Sequence, residues 1–402
     1  MERNQLKALV IATGCAEEHG SFVFLCDPQW SPVERAQAEG FFALARAGAV
    51  ESGAGSEAGL GWLCVPTGGT SGGVRFARHD EQTLSAAVRG FCAQFGLERV
   101  NAVDVLPPYH VSGLMARVRC AATGGRHLAW SGKLLVAGER PTMLAEGEGE
   151  GEGEGEGDGE KRVISLVPTQ VHRLLAAGPE TVAWLREFAV IFVGGGPIWP
   201  ELAEAAAQVG LPLALTYGMT ETAAMVAALP PTEFLAGERN CGRALPHARI
   251  ELGVEGDVRV VSEAVFRGYF PHWRGLREFT TDDLGEWDAR GRLVLAGRRD
   301  AVIISGGKKV QPEEVEAVLR GTGEFTDVGV VGVPDAEWGE AVVACYPRAE
   351  GREPDLARVR TALSGLASAK RPKMFLALTD WPRTAQGKLN RRLLAAMAAK
   401  RR

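Results

Sequence analysis

The stretch FAVIFVGGGPIWPELAEAAAQVGLPLALTYGMTET, Phe188 to Thr222, limits the folds open to this chain more than any other. Phe188 to Val193 is a continuous apolar run of strand length, Gly194, Gly195 and Gly196 form a turn, Pro200 stands near a helix start and Gly210 just past its end. LPLALTYG then reads as a second strand. A strand apolar on both sides is covered on both faces, and strand–helix–strand alternation gives a parallel sheet. Upstream, RVISLVPTQVHRLLAAGPE follows the same plan: a buried strand, a turn, and a helix stopped at Gly178-Pro179. Ligands of such sheets bind beyond the carboxyl ends of the strands. Both GGG and YGMTET fall at such ends.

The texture changes after Val258. DVRVVSEAVFRGYF and GEWDARGRLVLAGRRDAVIISGGKKV read as short strands separated by turn residues. PEEVEAVLRG is a short helix with Pro312 and two glutamates at its positive end. DVGVVGVP and EAVVACYP read as a strand pair, and LARVRTALSGLA as a helix. With 402 residues, the chain exceeds what a single core accommodates. The expected organisation is an α/β protein with a large domain, residues 1–297, built on mostly parallel sheets covered by helices. A small α+β domain, residues 298–402, follows it.

Charge excludes some partners. The run from Glu146 to Glu160 alternates glycine with eight acids, and without it 42 acidic residues face 45 basic ones. That run cannot bury apolar surface and is expected to be a disordered loop. The remainder is close to neutral and carries no basic stripe, so a nucleic-acid partner is not expected. Seven cysteines without C-x-x-C or zinc spacing read as reduced thiols. The N-terminal apolar run is short and soon meets Glu17 and Glu18, a poor signal peptide, and no stretch is long enough for a membrane span. A cytoplasmic protein is expected, with self-association left open.

CVPTGGTSGGVRFARHD, from Cys64, is built to hold an anion: four glycines and three hydroxyl residues precede Arg75 and Arg78. It lacks the spacing and lysine of a P-loop. Four further segments share the chain with it: YGMTET, TTDDLGEWDARGRL, GRRDAVIISGGKKVQPEEVE and PRTAQGKLNR. In order and content the five resemble the adenylate-forming superfamily of acyl-CoA synthetases and adenylation domains, from Cys64 to Arg392.

The resemblance implies a site. The glycine-rich loop would cradle the β- and γ-phosphates of ATP through Thr67, Gly69, Thr70, Ser71 and Gly72, since glycines let the backbone come close. Gly68 stands where a serine is common, and Val74-Arg75 replaces the usual proline–lysine; Arg75 keeps the charge with different geometry. In YGMTET, Tyr217 and Gly218 would meet the adenine, Thr220 the α-phosphate, and Glu221 a magnesium ion, which suits a hard carboxylate. Gly195 and Gly196 would line the pocket with backbone, with a tight βα turn alone as the alternative. Asp283 would hold the ribose hydroxyls, joined by Arg298, and Asp282 replaces a common glycine. Asp300 aligns with the hinge, and Lys388 with the lysine that touches both reacting partners. The family runs two half-reactions. Acid and ATP give an acyl-adenylate and diphosphate, then the small domain turns and CoA takes the acyl group past Gly306 and Gly307.

The acid is less constrained. His110 in YHVSGLM would border the acyl pocket, and this segment with SLVPTQ is most similar to the o-succinylbenzoate–CoA ligases of the menaquinone and phylloquinone pathways. About sixty residues precede the phosphate loop, fewer than is usual, so a trimmed first subdomain is expected. The second carboxylate of such an acid calls for a cation, with Arg75, Arg78, His79 and Arg117 as candidates. Other aryl or fatty acids, carrier loading, and a nucleotide-binding protein without catalysis are the alternatives.

Overall fold

The computed structural model describes residues 1–68, 73–141, 161–348, 353–383 and 389–401. The described residues form four sheets. The first runs β1 (Ala16–His19), β2 (Phe22–Leu25), β3 (Leu63–Gly68), β4 (Val74–His79) in spatial order. Gly20, at φ +61°, turns the β1–β2 hairpin, and a Cβ there would lie 2.6 Å from the Ala45 carbonyl oxygen. The helix Pro32–Arg46 starts at Ser31, whose hydroxyl accepts from the Glu34 amide, and Phe42 on it packs with Phe22, Phe24, Phe76 and Phe270.

The second sheet holds the parallel core. Its strands are β5 (Asn101–Asp104), β6 (His127–Ala129), β7 (Arg162–Leu166), β8 (Val190–Val193), β9 (Leu213–Met219), β10 (Ala224–Leu229) and β11 (Arg243–Ala244), ordered β11-β10-β9-β8-β7-β5-β6. The pairs from β6 through β9 are parallel, whereas β10 and β11 run antiparallel. The continuous apolar run has the cause expected of it. Ile191, Val193 and Leu213 enter one buried cluster, while Val190, Phe192 and Ala214 enter another, so alternate side chains are buried on opposite faces. Helices Pro168–Ala176 and Pro200–Gln208 begin at prolines, as expected.

The third sheet is an antiparallel meander of β12 (Ala248–Leu252), β13 (Asp257–Ser262), β14 (Glu278–Trp287) and β15 (Leu293–Arg298). Along β13 buried and half-buried residues alternate, and Val258 and Val260 pack with Tyr217 and Val226 of the second sheet. The expectation of parallel sheets therefore holds for the second sheet. In the third, short connections join β12 to β13 and β14 to β15 as antiparallel hairpins, and the longer segment from Glu263 to Arg277 also returns the chain antiparallel.

The fourth sheet, after Arg298, contains β16 (Ile303–Ser305), β17 (Lys308–Val310), β18 (Gly329–Asp335), β19 (Gly339–Pro347) and β20 (Met374–Leu378), with order β17-β16-β19-β18 and β20 parallel to β19. Helices Pro312–Gly321, Leu356–Leu363 and Arg391–Lys400 cover it. The acidic run Glu146–Glu160, the loop residues Gly69, Thr70, Ser71 and Gly72, and Lys388 lie outside the described residues.

Candidate active site

The turn after β9 is held in an uncommon backbone shape. Thr220–Thr222 form a 3-10 turn, and Ala223 and Ala224 follow at φ +52° and +80°, values that non-glycine residues seldom adopt. Thr222 Oγ1 accepts from the Met219 amide at 3.1 Å and donates to the Ala224 carbonyl at 2.7 Å. Gly218 admits no side chain, because a Cβ would lie 2.0 Å from the Ala224 oxygen. His79 on β4 supports the turn from below. Its Nε2 is 2.7 Å from the Thr220 carbonyl oxygen, so Nε2 carries the hydrogen, and Nδ1 faces Thr83 Oγ1 at 3.1 Å. Burial pushes this imidazole down to about 4, which keeps it neutral.

The turn delivers Glu221 into a polar cage. The residue is 5% exposed, and its backbone oxygen accepts from the Phe266 amide at 2.9 Å. Glu221 Oε1 accepts from the Tyr269 hydroxyl at 2.6 Å and from Thr67 Oγ1 at 3.3 Å. The Arg75 guanidinium lies over the Tyr269 ring, 4.5 Å from its centroid. Arg75 Nε is buried and has no hydrogen-bond partner among the described residues. A buried carboxylate, a hydroxyl and a guanidinium thus converge where the glycine-rich hairpin β3–β4 opens. That donor set fits a hard divalent cation carried with phosphate oxygens.

A second cluster stands midway along β14 and at the end of β15. Asp283 and Arg298 face each other across the ladder, and Arg298 Nη1 donates to Asp283 Oδ1 at 3.1 Å. The Tyr217 hydroxyl donates to Asp283 Oδ2 at 2.8 Å. Burial raises the Asp283 carboxyl above the usual range, opposed by the Arg298 charge and the Tyr217 hydrogen bond. Arg298 also grips Asp300, with Nε 2.8 Å from Oδ1 and Nη2 3.0 Å from Oδ2. Tyr217 is 6% exposed, with its ring in the apolar cluster of Ala77, Val226 and Phe266.

The other expected residues fall around these clusters. Gly195 follows β8 at φ +79°, Gly196 is exposed, and a Cβ on Gly194 would meet Thr216 Oγ1 of β9 at 2.4 Å. His110 is the N-cap of helix Val111–Thr123, with its ring 4.6 Å from that of Tyr109. Tyr109 and Val111, on either side of it, belong to the same buried cluster as Ala223 and Ala224 of the turn. Gly306 and Gly307 form the exposed tip between β16 and β17 at φ +57° and +70°, with the Gly306 amide donating to the Trp338 carbonyl.

Two candidates for a second substrate carboxylate are corrected by the structure. Arg78 is fully buried and donates to backbone: Nε to Gly61 O at 3.0 Å, and Nη1 to Glu51 O at 2.7 Å and His272 O at 3.1 Å. His79 is buried, neutral and bonded to Thr220. Arg117 stands on the helix Val111–Thr123; burial and the Asp27 charge push the Cys15 thiol up, and the Arg117 charge opposes them only in part. Tyr269 was missed by sequence reasoning, because FRGYF reads as an ordinary apolar strand and its partner Glu221 lies 48 residues away.

Comparison with known proteins agrees with this geometry. Residues 159–270 match the AMP-binding enzyme family, and residues 314–388 match the AMP-binding enzyme C-terminal domain. The chain is 31% identical over 340 residues to 2-succinylbenzoate–CoA ligase of Enterococcus faecalis, covering 80% of this chain and 67% of that protein. It is 31% identical over 237 residues to the same-named ligase of Listeria monocytogenes, spanning half of that relative. It is 32% identical over 246 residues to indoleacetate–CoA ligase of Aromatoleum aromaticum, covering 56% of this chain and 48% of that protein. Its fold is that of o-succinylbenzoate CoA synthetase from Bacillus subtilis in complex with the acyl-adenylate intermediate. The TM-score is 0.69 at 24% identity, over 86% of this chain and 70% of that one. ATP-bound MatB from Rhodopseudomonas palustris matches with a TM-score of 0.67 at 25% identity, over 89% and 72%. By these matches the chain belongs to the AMP-binding, adenylate-forming enzyme family and resembles its 2-succinylbenzoate–CoA ligases.

Proposed function

We propose that the protein is a cytoplasmic, ATP-dependent acid–CoA ligase that converts 2-succinylbenzoate, ATP and CoA to 2-succinylbenzoyl-CoA, AMP and diphosphate through an acyl-adenylate. The observation that carries this reading is the cage around Glu221, with Thr67 and Tyr269 on its carboxylate and Arg75 alongside. The names of the relatives favour the acid, and the match to an indoleacetate–CoA ligase keeps other aryl acids as the second reading.

In this proposal ATP is a substrate bound across both clusters. Thr67, Gly69, Thr70, Ser71, Gly72 and Arg75 receive its terminal phosphates, while Asp283 and Arg298 receive its ribose. Tyr217 and Gly218 border the base, and Gly195 and Gly196 line the pocket. Glu221 is the ligand for Mg²⁺, which offsets charge on the phosphates when bound. Thr220 approaches the α-phosphate, and His110 borders the acid. Lys388 orients the attacking carboxylate against the α-phosphorus; its compact ammonium suits two anionic partners. Once the carboxylate oxygen has bonded to phosphorus, diphosphate leaves with the electron pair of the broken P–O bond. The CoA sulfur then attacks the acyl carbon and AMP departs.

We further assign residues 1–297 to the domain that binds ATP and acid, and 298–402 to a lid that carries Lys388 and turns about Asp300. Its exposed Gly306-Gly307 tip is then free to approach the thiol arm. Acid-dependent exchange of diphosphate into ATP tests the first half-reaction. Exchange that requires 2-succinylbenzoate supports the proposal, and a lack of exchange with any carboxylic acid contradicts it.

A further inference from the structure

Tyr269 has no place among the motif residues, yet both of its functional surfaces are engaged. Its hydroxyl donates to Glu221 Oε1 at 2.6 Å, and one ring face carries the Arg75 guanidinium at 4.5 Å. The ring is firmly mounted. It packs edge-on against Phe266 at 4.8 Å, and its backbone pairs with Ala77 of β4, two residues beyond Arg75. Burial and the Glu221 charge raise the phenol above its ordinary range, so it stays a protonated donor.

The consequence for Glu221 is directional. Tyr269 and Thr67 both address Oε1, while Oε2 takes no hydrogen bond from the described residues. Oε2 is therefore the oxygen presented for further coordination. The consequence for Arg75 is specific to arginine: a planar guanidinium lies flat on an aromatic face, which a lysine ammonium in its place would do less well. Nε is buried and unbonded among the described residues, and the guanidinium rests on the Tyr269 ring.

We propose that Tyr269 is a positioning residue for the nucleotide–metal complex. Its hydroxyl sets the Glu221 carboxylate for the metal ion, and its ring sets the Arg75 guanidinium for the phosphates. This rests on the reading above that Glu221 and Arg75 serve magnesium and ATP. The two halves separate by substitution: Tyr269→Phe removes the hydroxyl and keeps the ring, whereas Tyr269→Leu removes both.

The test is equilibrium binding by titration calorimetry, with ATP in Mg²⁺ and with ATP in EDTA, alongside the melting temperature of each variant. Tyr269→Phe is expected to weaken Mg²⁺-ATP binding about tenfold, the worth of one hydrogen bond to a charged group, while metal-free ATP changes less than about twofold. Tyr269→Leu is expected to weaken metal-free ATP several-fold as well. If Tyr269→Leu does not fold, Arg75→Lys serves for the same half and should give the same loss. Unchanged Mg²⁺-ATP affinity in Tyr269→Phe overturns the hydroxyl's role. Unchanged metal-free affinity in Tyr269→Leu or Arg75→Lys overturns the ring's role. If the parent protein binds no ATP under either condition, the functional reading fails instead, which sets the two failures apart.

Discussion

The Tyr217 hydroxyl donates to Asp283 Oδ2 at 2.8 Å and so ties the end of β9 in the parallel sheet to β14 in the antiparallel meander. Arg298, directly opposite Asp283 on β15, holds the other carboxylate oxygen. Asp283 is thus fixed from both sides in a partly buried position where an unpaired carboxylate would be costly. The same carboxylate is the proposed ribose ligand. Asp283→Asn keeps the shape and removes the charge. It should lower kcat/KM for ATP about 100-fold, as expected when two charge-assisted hydrogen bonds weaken together, and leave KM for the acid within a small factor. Steady-state kinetics with each substrate varied in turn distinguishes the two.

His79 makes stability depend on pH. Its folded value is about 4, because burial disfavours the cation, against about 6.5 when exposed in the unfolded chain. Between these values the unfolded chain binds a proton that the folded chain does not, so stability is full above pH 6.5 and falls as pH drops toward 4. The melting temperature of His79→Gln should decline less steeply over that window than that of the parent. Parallel slopes would show that His79 does not titrate on unfolding.

Arg78 is predicted to be a structural residue. Arg78→Met leaves the carbonyls of Gly61, Glu51 and His272 without their donor and should cost about 3 kcal/mol of stability. Chemical denaturation measures the cost. KM for 2-succinylbenzoate should not change, since the Arg78 side chain is fully buried with its Nε and Nη1 directed at backbone carbonyls.

Gly218 tests the packing of the strand-end turn. In Gly218→Ala the new methyl would lie 2.0 Å from the Ala224 oxygen and 2.5 Å from Met225 Cα, both backbone atoms that cannot move without parting β9 from β10. A loss of about 2–4 kcal/mol is expected, with adenylation lost in parallel because Glu221 hangs from the same turn.

The parts legible in the sequence were those written locally. The run at Ile191–Val193, Pro200 and Gly210 marked a strand, helix and turn because each signal lies within a few residues of its effect. Asp283 and Arg298 were legible as motif letters, and the antiparallel register then brings them together. What stayed hidden depends on distant partners. Arg78 looked like an anion ligand until Glu51 and His272 proved to surround it, and His79 until Thr220 did. Tyr269 acquires a task only when a segment 48 residues from Glu221 folds against β4. Strand direction was hidden too: β10 is fully buried like the parallel β8, yet a short turn reverses it.

The central claim is that this chain joins 2-succinylbenzoate to CoA by way of an adenylate. Mass spectrometry of products tests it most directly, after incubation with ATP, Mg²⁺, CoA and a mixture of 2-succinylbenzoate, indoleacetate, benzoate, a cinnamate and a medium-chain fatty acid. The account predicts 2-succinylbenzoyl-CoA and AMP as the dominant products, both lost in Lys388→Ala. A different dominant thioester, or the absence of both thioester and AMP, would contradict it.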